Sequence, residues 1–197
     1  MKRLLTFPIL FICLISYGQN KTSSPYALDS GTGAITTIEY EHHEIHEGNH
    51  FYVCGYDLDF DDDDTIDFQL TTPNTNEWIH MSFDVTSSAT ITLNVYEDAT
   101  VVADGAAVTA YNNNRNNSNT TSLTLLQVGG EVTERGTLIY SEAFGSGSNP
   151  SSKQGGISDR ERELLLKQNS TYRFEFECHV DNVVFDYCGE WYEHTNK

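Results

Sequence analysis

Positive charge is scarce in this chain. Eleven Lys and Arg stand against 29 Asp and Glu, a formal net charge of −18 over 197 residues. Such a surface repels phosphate backbones, so nucleic acid is not an expected partner. Long apolar runs are missing after the first twenty residues, and a membrane span needs roughly 20 in a row. Cysteine is also sparse, with four residues and no C-x-x-C pair. That argues against a cysteine-stapled miniature scaffold and against a structural zinc knuckle. Apolar residues at helical spacing are nearly absent, which argues against helical and α/β classes. The sequence also lacks the G-x-S-x-G nucleophile elbow and the GxxxxGK[ST] phosphate loop.

What is present begins with MKRLLTFPILFICLISYGQN, where Lys2 and Arg3 precede an apolar run from Leu4 to Ile15 and small residues follow. This predicts a signal peptide over residues 1–18, cut after Gly18, and hence a secreted or periplasmic location. A flexible segment over 19–33 and one domain over 34–197 are expected to follow. Without the leader, Cys54, Cys178 and Cys188 remain, and an odd number allows at most one internal bridge.

The rest reads as strands. In TYRFEFECHV, Tyr172, Phe174, Phe176, Cys178 and Val180 alternate with mostly polar neighbours; in VVFDYCGEW, Val183, Phe185, Tyr187 and Trp191 do so. A turn at Asp181–Asn182 would pair the two as a hairpin with both apolar sets on one face. That phase buries a thiol at Cys178, turns Cys188 to the opposite face, and leaves Cys54–Cys188 as the bridge to test. Alternation recurs in TIDFQL, WIHMSFDV and ATITLNV. It is weaker in ITTIEYEHHEI, HFYVCGYDLDF, SLTLLQV and GTLIYSEAF, and only ERELLLKQ could equally be a helix. Many short strands between turn-rich pieces predict an all-β fold, a single antiparallel β-sandwich or jelly roll.

Three polar tracts are candidate sites. EHHEIHEGNH, from Glu41 to His50, holds four of the seven histidines. Taken from His43–Glu44, the H-E-x-x-H spelling of a zinc-protease helix fails, because position 47 is Glu. Taken as a strand with a hairpin turn at Gly48–Asn49, it puts Ile45 opposite Tyr52 and lines His42, Glu44 and His46 on one face. Residues two apart on a strand are roughly 6.5–7 Å apart, so those three could converge on one cation. The plainer reading is a polar outer face, and a helix here would reopen the metal question. Asp61, Asp62, Asp63 and Asp64 lack the glycine and the twelfth-position acid of an EF-hand loop. They read as a solvated turn, with weak calcium binding as the functional alternative; no other cofactor is expected. Asn112, Asn113, Asn114, Arg115, Asn116 and Asn117 form an asparagine-rich loop that could recognise a protein partner or a glycan.

Several phrases together carry a resemblance: HHEIHEGNHFYVCGY, TIDFQLTTPNTNEWIHMSF, VYEDATV, YNNNRNNSNTTS, RERELLLKQNSTYRF and EWYEHTNK. The series, from about Glu39 to Lys197, resembles a group of small all-β virion proteins of tailed bacteriophages and prophages, of the auxiliary or capsid-decoration kind. The resemblance implies a non-enzymatic role, assembly in multiple copies on a protein surface, and a place on the virion. It implies no catalytic or ligand residue. The alternatives are an exported adhesin that reads glycans with its Asn-rich loop, and a metal-assisted hydrolase built on His42, Glu44 and His46.

Overall fold

A computed structural model of the chain describes residues 31–33, 35, 37–116, 122, 124–145, 154–155 and 163–195. The leader and residues 19–30 of the segment expected to be flexible lie outside the described residues. The chain divides into two compact units, Met1–Ile38 and Glu39–Lys197, and the second carries the sheets.

Among the described residues, one helix, α1 (Tyr40–Glu47), precedes fourteen strands. These are β1 (His50–Phe60), β2 (Thr65–Thr71), β3 (Glu77–Ser87), β4 (Ile91–Glu97), β5 (Thr100–Ala103), β6 (Ala106–Ala107) and β7 (Tyr111–Asn112). There follow β8 (Leu125–Val128), β9 (Glu131–Glu134), β10 (Thr137–Phe144), β11 (Gln154–Gly155), β12 (Leu164–Leu166), β13 (Thr171–Cys178) and β14 (Val183–Thr195). The first sheet runs β11-β3-β14-β1-β7, with β12 also on β3; the second runs β10-β4-β13-β2-β8-β6. All their pairings are antiparallel, and β5 and β9 form a separate ribbon. The all-β sandwich expected from alternation is the observed architecture. Within ERELLLKQ, Leu164–Leu166 form a strand paired to β3, while Glu161 and Arg162 lie outside the described residues.

The core lies between the sheets, where inward residues of each strand interdigitate. Phe174 meets Phe83 at 4.8 Å between ring centroids, and Phe176 meets Phe185 at 5.1 Å and Tyr187 at 5.5 Å. Burying each such ring stabilises the fold by about 1.5–3 kcal/mol.

Those contacts correct the expected hairpin. Strand β13 is central in the second sheet, between β2 and β4, and β14 is central in the first, between β1 and β3. Residues 179–182 therefore cross from one sheet to the other. Alternation fixes which face of a strand is apolar, and two apolar faces are satisfied either side by side or across a core. The consequence for the cysteines is unchanged. Cys178 is a buried free thiol, and Cys54 and Cys188 stand opposite each other on β1 and β14 and are bridged.

The second correction is α1. Residues 40–47 are helical, so neither the strand nor the hairpin turn at Gly48–Asn49 forms. Gly48 instead ends the helix with φ of 83°, a conformation that favours glycine, and donates its N–H to the Ile45 carbonyl. Two amides far along the chain hold the same end. Asn112 Nδ2 donates to Gly48 O at 2.6 Å and Asn114 Nδ2 to His46 O at 2.9 Å. Glu44, buried, accepts from Asn49 Nδ2 at 2.9 Å. A short polar segment has no decisive local preference, so these tertiary bonds select the helix.

Candidate functional site

The outward side chains of the first sheet form a ladder of cross-strand rungs. His50, Tyr192 and His80 make one; Tyr52, Glu190 and Ser82 the next; then Cys54, Cys188 and Asp84; then Tyr56, Asp186 and Thr86. Helix α1 lies against the first rung. The Tyr192 ring is sandwiched between His80 at 4.5 Å and His50 at 6.3 Å, while Tyr40 Oη meets His194 Nδ1 at 3.0 Å. His194 Nε2 and His80 Nε2 are 2.8 Å apart, a contact with room for one shared proton, and His80 Nδ1 faces Glu163 Oε1 at 2.8 Å.

A small cavity opens beside this rung, lined by Glu41, His50, His80, Ser82, Glu163 and Glu190 among others. His50 on its wall is buried, with 2% of its surface exposed. Its Nδ1 lies 2.7 Å from Asn113 Nδ2 and its Nε2 3.3 Å from Glu41 Oε1. Burial holds the Glu190 carboxyl above the ordinary carboxylate range; His50 opposes that shift, and Glu41 and Asp84 reinforce it. Among the described residues, Glu41, His50 and Glu190 are the one set of three His, Cys, Asp or Glu side chains whose ligand atoms lie within 4.8 Å of one another.

The trio named from sequence is not brought together. His42 and His46, one helical turn apart and exposed, meet at 3.1 Å between Nε2 atoms, whereas Glu44 is buried against Asn49. The sequence reading also overlooked that HEGNH, His46 to His50, does spell H-E-x-x-H. The helix stops at Glu47, so His46 stays on α1 and His50 starts β1, and the two imidazoles do not share a helix face. Asp61 to Asp64 form a turn in which the first and last carboxylates serve the backbone. Asp64 Oδ2 accepts from Asp61 N, and Asp61 Oδ1 accepts from Asn182 N. In the Asn-rich tract, Asn112 and Asn114 cap α1 and Asn113 orients His50. Arg115 and Asn116 are exposed, and Asn117 lies outside the described residues.

At the other end of the ladder, Tyr56, Asp84, Thr86 and Asp186 line an open groove around the Cys54–Cys188 bridge. Strand β7 covers only Phe51 and Tyr52, so from Val53 to Phe60 the outer edge of β1 has no strand partner among the described residues. Tyr56 and Leu58 on that stretch are 69% and 65% exposed. Among the described residues, no helix is long and apolar enough to cross a membrane. No known protein family, curated protein or solved structure matches the chain.

Proposed function

We propose that this protein is a non-enzymatic structural module that docks on a repeating protein surface, as a capsid decoration protein does. The observation that carries this reading is the open edge of β1, with Tyr56 and Leu58 exposed beside a groove walled by Asp84 and Asp186. A bare strand edge is a template for main-chain pairing, and natural proteins usually cover or blunt one. With a net charge of −18, the partner that fits is a protein surface offering Lys or Arg beside apolar side chains. Parts of the phrases that carry the virion resemblance lie in or against the same sheet, in α1, β1, β3, β7, β12 and β14, and other parts lie in the second sheet, in β2, β4 and β13. The Cys54–Cys188 bridge favours an exported protein, because such bonds persist in oxidising compartments. The glycan-reading alternative loses half of its loop, since Asn112, Asn113 and Asn114 spend their side-chain amides internally.

The test is co-sedimentation of the purified full chain with particles induced from a host strain deleted for its gene. Saturable binding is expected, and Tyr56→Ser with Leu58→Ser should abolish it while leaving the melting temperature unchanged. A strictly monomeric chain that never sediments with particles would refute the reading.

A further inference from the structure

The cavity beside α1 gathers three carboxylates, Glu41, Glu163 and Glu190, with two imidazoles, and among the described residues no Lys or Arg lines it. Glu41 and Glu190 stand close together there, both partly removed from water, and holding two carboxylates so is costly unless positive charge joins them. Three of these groups come from three different elements: Glu41 from the first turn of α1, His50 from the first residue of β1, and Glu190 from β14. We propose that Glu41, His50 and Glu190 bind a divalent first-row transition cation, zinc or manganese, which clips α1 to the sheet.

The donor set selects the ion. One imidazole nitrogen and two carboxylate oxygens suit borderline cations such as zinc and manganese, whereas calcium takes oxygen donors alone. The cavity holds about 30 Å³, and a site of that size accommodates the one or two waters that complete a coordination shell. The ligand atoms lie within 4.8 Å of one another, and bond lengths of about 2.0–2.2 Å require them to draw inward. Glu41 has the freedom to do so, its side chain being 39% exposed.

The support for His50 is already built. Its Nδ1 contacts the Asn113 side-chain amide at 2.7 Å. Turning that amide over presents Oδ1 to an Nδ1–H and leaves the Nε2 lone pair aimed at the cavity. Metal-bound histidines characteristically donate their second nitrogen to a fixed oxygen in this way. The exposed His42–His46 pair is a competing chelator, and the experiment separates the two.

Untagged full-length protein is stripped with EDTA and dialysed at neutral pH against zinc, manganese or calcium, and bound metal is measured by mass spectrometry. One equivalent of zinc or manganese is expected, with a rise in melting temperature. Glu41→Gln and Glu190→Gln should each weaken binding at least tenfold and remove that rise, while the double variant His42→Gln, His46→Gln keeps both. Glu41 carries the decisive substitution because its exposure spares the fold; His50 is buried and is left intact. The proposal is overturned if neither zinc nor manganese binds, if calcium alone binds, or if binding follows His42 and His46 instead of the glutamates. The outcome is independent of particle binding, which is read separately through Tyr56 and Leu58.

Discussion

Replacing Cys54 and Cys188 together by serine removes the one covalent link between β1 and β14. The two residues are 134 apart in sequence. In the chain-entropy picture, closing a loop of that length restricts the unfolded ensemble by roughly 5 kcal/mol at 25 °C, and measured bridges typically return about 2–4 kcal/mol. The native side should hardly notice the change. The β1–β14 ladder is continuous from His50–Tyr192 to Asp57–Phe185, and Cys54 is exposed, so serine leaves no buried void. A loss of about 2–4 kcal/mol is therefore expected, arising mainly in the unfolded chain. Urea unfolding at pH 7 measures it, with reduced wild type as a second arm that should match the double variant. Unfolding free energies for variant and oxidised wild type agreeing within about 0.5 kcal/mol would refute the reasoning, because that is the spread of an ordinary surface substitution.

Two further outcomes probe the second sheet. Arg173, nearly buried, lies 3.3 Å from Asp67 and 3.2 Å from Glu175, and Glu175 is only 1% exposed on its side chain. Arg173→Ala should cost about 3 kcal/mol, the low end for a broken buried pair, because Asp67 loses this partner while Glu175 keeps Arg135 at 3.1 Å. Burial already raises the Asp67 carboxyl, with Arg173 opposing the shift, so the folded state holds its proton more tightly than the unfolded chain. Part of the loss should therefore return as pH falls and Asp67 protonates, which a pH series of denaturation midpoints reads directly. Glu97 has the opposite sign. The hydrogen bond from Lys167 holds its carboxyl below the usual 4.5 against the effect of burial, and Tyr172 Oη donates to it as well. Its stabilisation is present above pH 4.5 and is lost as pH falls through the lower folded value. Glu97→Gln should therefore melt below wild type at pH 7 and converge with it in acid; a gap independent of pH would contradict the assignment.

The strands were legible where side chains alternate without interruption. WIHMSFDV, TIDFQL and ATITLNV became β3, β2 and β4, and HFYVCGYDLDF, with its weaker alternation, became β1 over His50–Phe60. The phase of the C-terminal strands also placed Cys178 in the core and Cys188 outside, which is why the bridge partner could be named. Pairing was not legible. Phe176 and Tyr187 are both apolar and correctly phased, and nothing in that pattern distinguishes neighbours in one sheet from partners stacked across a core. Burial constrains each strand separately, whereas strand order depends on connections and on contacts distant in sequence.

The site was illegible for a related reason. Read separately, EHHEIHEGNH and YNNNRNNSNTTS are two polar tracts, one offering ligands and the other offering recognition. In the fold each answers the other. Asn112 and Asn114 take up carbonyls at the C-terminal end of α1, a segment with little intrinsic reason to be helical, and Asn113 fixes the imidazole of His50. That helix carries Glu41 to His50, while Glu190 arrives from a strand 140 residues further on. Counting histidines within ten residues selected His42 and His46, which are exposed, and passed over His50, whose buried environment is assembled by distant asparagines. Metal chemistry in a β-sandwich depends on which rungs meet, so a cluster dense in sequence marks where to look without naming the ligands. If the cation clip exists, it is the loop read as a recognition element that makes it possible, and removing the Asn113 amide should weaken metal binding although Asn113 touches no ion.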